Sequence, residues 1–99
     1  MRASGSEVAD LLRNLRQHKG ESLRVAARGI GVDPGHLARV EAGEKPPSDS
    51  LSARVSAYYE VDPDSIHLAA GRIPPDVVTI LVRHPEELAR LRESYTSDG

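Results

Sequence analysis

Residues 22–51 read SLRVAARGIGVDPGHLARVEAGEKPPSDSL. Ser22 is a helix-capping residue type, and the stretch after it reads as a short helix running to about Gly29 or Ile30. Gly31 then permits the positive φ that a tight interhelical turn needs. Ala27, four residues earlier, is small enough to let two helices approach closely. Asp33-Pro34 reads as an N-cap followed by proline at the first helical position, opening a helix over 34–42 that Gly43 terminates. Ala26, Ile30, Val32, Leu37 and Val40 are apolar at the spacing that packs these helices across the turn. The other positions of the second of them project outward. Gly29 interrupts the first, at a cost of about 1 kcal/mol relative to Ala if it is helical and exposed.

Upstream, Val8, Leu11, Leu12 and Leu15 follow the i, i+3, i+4, i+7 pattern of an amphipathic helix, with His18, Lys19 and Gly20 at its end. Residues 1–6 are small and polar and are expected to be loose. Downstream, 44–48 is a proline-containing loop. Ser48 or Ser50 starts a fourth helix with Leu51, Val55, Tyr58 and Tyr59 on one face. Asp62-Pro63-Asp64 opens a short fifth helix, 66–70, closed by Gly71. Pro74-Pro75-Asp76 opens a sixth, with Val77, Val78 and Leu81 expected to face inward. His84-Pro85-Glu86-Glu87 opens a seventh, carrying Leu88, Leu91 and Tyr95, and 96–99 are expected to fray. No stretch alternates with a period of two, so the expected fold is all-α.

The chain has 99 residues and no cysteine, tryptophan or phenylalanine. Disulfides, thiolate metal sites and a cysteine nucleophile are thereby excluded, and the core must be built from Leu, Val, Ile and Ala with three tyrosines. No apolar run approaches the roughly 18 residues of a membrane span, and the first ten residues lack the apolar stretch of a signal peptide, so no membrane and a cytoplasmic location are expected. The net charge is −2, but it is unevenly spread. Residues 13–45 hold seven basic and four acidic side chains; residues 46–99 hold five basic and nine acidic ones. The first half suits phosphate and the second does not.

No chemistry-bearing set emerges. His18, His36, His67 and His84 lack the i, i+4 spacing of a helical metal pair. Glu86-Glu87 suits a helix N-terminus, and Asp33 and Asp62 read as caps without further chemistry. Ser48 and Ser50 have no nucleophile-elbow context. The expectation is no catalytic residue, no metal, no cofactor and no enzymatic activity.

Ser22, Ala27, Gly31, Val32, Leu37, Glu41, Gly43 and Pro47, in this register, resemble the Cro/cI-like (Xre) helix-turn-helix family of bacterial and phage regulators. The resemblance runs from about Val8 to Gly71 and implies a five-helix, lambda-repressor-like DNA-binding domain over 7–71. It implies that helix two crosses the DNA backbone and helix three lies in the major groove. It also implies a structural ion pair between Arg16 and Glu41, tying the recognition helix to the scaffold. Base contacts would come from Pro34, Gly35, His36 and Arg39. Pro34 and Gly35 bring no side-chain donor, which leaves Arg39, with a fork for guanine O6 and N7, as the principal reader and His36 as the second. Part of the specificity would then come from DNA shape. Phosphate contacts would come from Ser22, the N–H groups of Leu23 and Arg24, Lys19, Lys45 and Ser48, with Leu23 standing where many relatives carry Gln.

Residues 72–95 then form a helical extension. Val77, Val78, Leu81, Leu88, Leu91 and Tyr95 carry more apolar surface than two short helices can leave in water. The expectation is a dimer interface, against simple packing on the same chain. The leading functional reading is a dimeric repressor of double-stranded DNA. Its rival is the antitoxin of a toxin–antitoxin pair, with the acidic extension holding a protein partner.

Overall fold

Capping chemistry sets most of the helix starts. The computed structural model describes residues 4–95, and among them there are seven helices and no strand. These are α1 (Ser4–Lys19), α2 (Leu23–Ile30), α3 (Pro34–Glu41), α4 (Asp49–Tyr59), α5 (Pro63–Ala69), α6 (Pro75–Arg83) and α7 (Glu86–Tyr95). The fold is all-α. Ser22, Asp33, Ser48 and Asp62 each accept a hydrogen bond from a first-turn N–H, of α2, α3, α4 and α5 in turn. Residues 4–6, expected to be loose, belong to α1; 1–3 and 96–99, where fraying was expected at the C-terminus, lie outside the described residues. α5 begins three residues earlier than expected. Asp62 already bonds the Asp64 N–H at 2.9 Å, so the cap-plus-proline pair is itself the helix start.

The core is aliphatic. Val8 and Leu12 of α1, Ala26, Ala27 and Ile30 of α2, Leu37 and Val40 of α3, Leu51 and Val55 of α4, and Ile66 of α5 form one buried cluster. Each fully buried Leu, Ile or Val contributes roughly 1.5–3 kcal/mol. α1 packs on α3 and α5, α2 on α3 and α4, and α4 on α5. Gly31, at φ 86°, turns α2 into α3, and its N–H and that of Val32 both close on the Ala27 carbonyl at 2.9 Å. A side chain at position 31 would strain this turn.

α6 and α7 pack on each other and contribute no buried residue. Val77 and Val78, expected to face inward, are exposed, and Leu81 is half-buried. The reason is that Ile66 and its neighbours already close the core of α1–α5. α6 carries Val77, Val78, Ile80, Leu81 and Val82 on one broad side, opposite Asp76, Thr79 and Arg83, and that apolar side is left largely exposed.

Gly29 also departs from expectation. It is helical and exposed, but the space a side chain would take is already filled. A Cβ built there would lie 2.3 Å from Cε1 and 2.6 Å from Oη of Tyr58. The ring lies against α2 and is held at its far end, where the hydroxyl donates to the Glu21 carboxylate at 2.7 Å. Lys19 Nζ sits 4.1 Å from the ring centroid. Gly29→Ala should therefore destabilise the chain in denaturant melts, despite gaining about 1 kcal/mol of helix propensity. In a Tyr58→Ala background the same substitution should become stabilising by about that amount. A stabilising Gly29→Ala in the parent would mean the ring moves away at no cost.

Candidate nucleic-acid interface

The orientation of α3 is set from its C-terminal end. The Glu41 carboxylate is 6% exposed and takes both of its oxygens to one guanidinium. Arg16 Nε lies 3.0 and 2.9 Å from Oε1 and Oε2, and a terminal nitrogen lies 2.9 Å from Oε1. Arg16 also donates to the Glu21 carbonyl at 3.1 Å, and Arg13 donates to the Glu41 carbonyl at 2.8 Å. The hydrogen bond to Glu41 raises the Arg16 pKa above its ordinary value, against the opposite pull of burial. Three polar ties thus join α1, the loop before α2 and the last turn of α3.

With its base fixed, α3 presents Pro34, Gly35 and Arg39 to solvent, with His36 half-buried. Arg39 Nε stands 3.5 Å from the Gly35 carbonyl, a long contact one turn back along the same helix. Its terminal nitrogens make no bond to other described residues, so the planar fork is available to a partner.

The N-termini of α2 and α3 differ. Ser22 Oγ accepts from the Val25 N–H at 3.2 Å, which leaves the hydroxyl proton free to donate. The Leu23 and Arg24 N–H groups lie beyond the reach of helical carbonyls, so this end is open to an anion. At α3, Asp33 Oδ2 accepts from the Gly35 and His36 N–H groups at 2.9 and 3.2 Å, so a carboxylate already fills the equivalent place. Arg24, Pro34 and Gly35 share a shallow groove with Arg28, Val32 and Asp33.

The remaining expected contacts are dispersed. Lys45 is exposed in the loop after α3; Ser48, also exposed, caps α4 through the Leu51 N–H at 3.1 Å. Lys19 stands over the Tyr58 ring, in a separate groove with Leu15, His18, Tyr59 and Glu60. Val77, Val78, Leu88, Leu91 and Tyr95 are exposed on α6 and α7, and Leu81 is half-buried.

Sequence reasoning did not single out three other cations. Arg28 lines the groove at the start of α3. Arg54 of α4 donates to the Gly31 carbonyl and so holds the turn between α2 and α3. Arg72 pairs with Asp49 and donates to the Pro47 carbonyl at 2.6 Å, fastening the segment after α5 to the loop after α3. Residue type alone carries no signal for any of these, because the partners of Arg54 and Arg72 lie 23 or 25 positions away and the groove that Arg28 lines is completed by α3. Among the described residues no three metal-ligating side chains come together, and no helix is long and apolar enough to cross a membrane.

Residues 7–69 match the family model of a helix-turn-helix domain. The matched span begins inside α1 and ends on the last residue of α5, so it covers the whole buried cluster and leaves out α6 and α7. No match was found among curated proteins or among solved structures.

The scaffold beneath α3 carries a pH signature. Burial pushes the Tyr59 phenol up to about 12 from 10.0, and the Glu41 and Glu21 carboxylates and the Tyr58 phenol add to the rise, while Arg16 opposes it. The hydrogen bond to Glu21 raises Tyr58 in the same direction. Both phenols stay protonated in the folded chain after they would ionise in the unfolded one. Their contribution is therefore intact below pH 10 and is lost as pH rises through about 12. Denaturant melts from pH 8 upward should show this fall, and Tyr59→Phe should flatten most of it. Tyr59 Oη is buried with no protein partner among the described residues, so the same substitution should cost little at neutral pH.

Proposed function

The chain belongs to the helix-turn-helix domain family, and from that membership we propose that it is a sequence-specific transcription regulator, a dimeric repressor of the Cro/cI-like (Xre) kind. In this reading residues 7–71 form the DNA-binding domain and residues 72–95 the dimerising extension. The protein acts in the cytoplasm as a binding protein and not as an enzyme, and it needs no cofactor. α3 enters the major groove, with Arg39 forking onto guanine and His36 reaching a neighbouring base edge or phosphate. Ser22, the N–H groups of Leu23 and Arg24, Lys45 and Ser48 meet the phosphates on either side, and Lys19 adds a more distant charge. The observation that carries the reading is the free Arg39 fork on a helix whose orientation the Arg16–Glu41 pair fixes.

The exposed apolar residues of α6 and α7 support the dimer. Two copies joined through Val77, Val78, Leu81, Leu88, Leu91 and Tyr95 would present two α3 helices to near-palindromic half-sites about 34–36 Å apart. The same surface favours one second reading, in which it holds a protein partner, as in an antitoxin that also regulates its own operon. That reading requires a stable hetero-complex with the product of a neighbouring gene.

Binding to a duplex selected from a random pool tests the first reading. Arg39→Ala should cost about 1–3 kcal/mol per half-site of the selected duplex and relax the preference at one base pair in each half-site. Lys45→Ala should weaken all sequences alike and reduce the slope of log affinity against log salt by about 0.9 for each of the two protomers. Equal binding of the selected site by Arg39→Ala and the parent would remove Arg39 from the interface. In light scattering the parent should have twice the chain mass, and Leu91→Asp the mass of one chain. A dimeric Leu91→Asp would place the interface elsewhere.

A further inference from the structure

The groove at the start of α3 contains one acceptor that the reading above leaves unused. Asp33 Oδ2 is committed to the Gly35 and His36 N–H groups, which fixes the carboxylate against the helix end. Oδ1 has no partner among the described residues, and the residue is exposed. Gly35 makes room for this arrangement. A Cβ there would stand 3.0 Å from Asp33 Oδ2 and would meet nothing else, so the missing side chain leaves the carboxylate uncrowded. Pro34 has no polar side chain either. In the first turn of the proposed recognition helix the fixed polar side chain is therefore an anion.

A carboxylate brought to DNA is repelled by phosphate unless cations offset it. Arg24 and Arg28 line the same groove, and neither has an ion-pair partner among the described residues. Two guanidiniums beside one carboxylate leave the groove positive while the carboxylate keeps its own chemistry. That chemistry is acceptance only. In the major groove the donors are the exocyclic amino groups, N4 of cytosine and N6 of adenine; guanine O6 and N7 and thymine O4 are acceptors and would be repelled.

We propose that Asp33 determines part of the sequence specificity, its free Oδ1 accepting from an exocyclic amino group of cytosine or adenine while Arg24 and Arg28 hold the adjoining phosphates. This rests on the DNA-binding reading above. It assigns the cap a second role, and the two are compatible because each uses a different oxygen.

The test selects bound duplexes from a random pool with the full chain and with Asp33→Ser, which keeps the cap because Ser and Asp rank alike as N-caps. The parent should favour an amino-bearing base about ten-fold at one position, and Asp33→Ser should lose that preference while keeping the Arg39-dependent one. The selected base distinguishes cytosine from adenine. Replacing it by its analogue without the amino group should weaken the parent about ten-fold and Asp33→Ser hardly at all. If the parent selects a site and Asp33→Ser selects the same one, with the same sensitivity to the amino group, the assignment of Asp33 fails while the regulator reading stands. A parent that selects no sequence overturns both.

Discussion

One buried carboxylate orders the polar architecture of this chain. Glu41 takes Arg16 with both oxygens, and Arg13 takes the carbonyl of the same residue. Arg16 reaches on to the Glu21 carbonyl, and the Glu21 side chain accepts from Tyr58. The sequence of contacts runs from α3 through α1 and the following loop to α4. A buried ion pair is a weak source of net stability, because desolvating both partners offsets their attraction. Its value here is positional. α3 has eight residues and anchors itself in the core by Leu37 and Val40, two contacts that leave rotation about their common line loosely defined. A bidentate pair at its last residue removes that freedom.

The second constraint is size. With no Phe or Trp, close packing must come from small residues that let helices approach. Ala26 and Ala27 are fully buried, and Gly29 receives the hydroxyl end of the Tyr58 ring. α2 is therefore thin along one side and charged along the other, where Arg24 and Arg28 stand exposed. The thin side joins it to α3 and α4, and the charged side is left for a partner.

What was legible in the sequence follows from the range of each interaction. Caps act over two or three residues, so Ser22, Asp33 and Asp62 could be read directly, Ser48 as one of two candidates with Ser50, and the tight turn at Gly31 likewise. The aliphatic core was legible because helical period and burial coincide in α1–α5. Side-chain pairs at long separation leave no periodic trace. The bonds from Arg54 to Gly31, Arg72 to Asp49 and Tyr58 to Glu21 span 23, 23 and 37 positions. Propensity also gives no sign at Gly29 that a tertiary contact, the Tyr58 ring end, occupies the place of a side chain. In α6 an apolar side is legible in the sequence, but not that the core of α1–α5 is already closed without it.

Unsatisfied groups in a folded chain locate what it binds. Arg13, Arg16, Arg72 and Arg90 are each paired with a carboxylate, and Arg54 holds a carbonyl. Arg24, Arg28, Arg39 and, on α6, Arg83 make no ion pair among the described residues, and three of these four lie on α2 and α3. Most of the larger exposed aliphatic residues lie after α5, from Ile73 to Leu91, with Val25 of α2 and Leu68 of α5 as the exceptions. Cationic and apolar surface are thus largely separated along the chain, and each asks for a different solvent. Phosphate would satisfy the first without disturbing the core, since the pairs that fix α3 do not use these arginines. A second protein surface would satisfy the other, as in the dimer proposed above. Arg72 joins the two regions, because it fastens the start of the extension to the loop that carries Lys45.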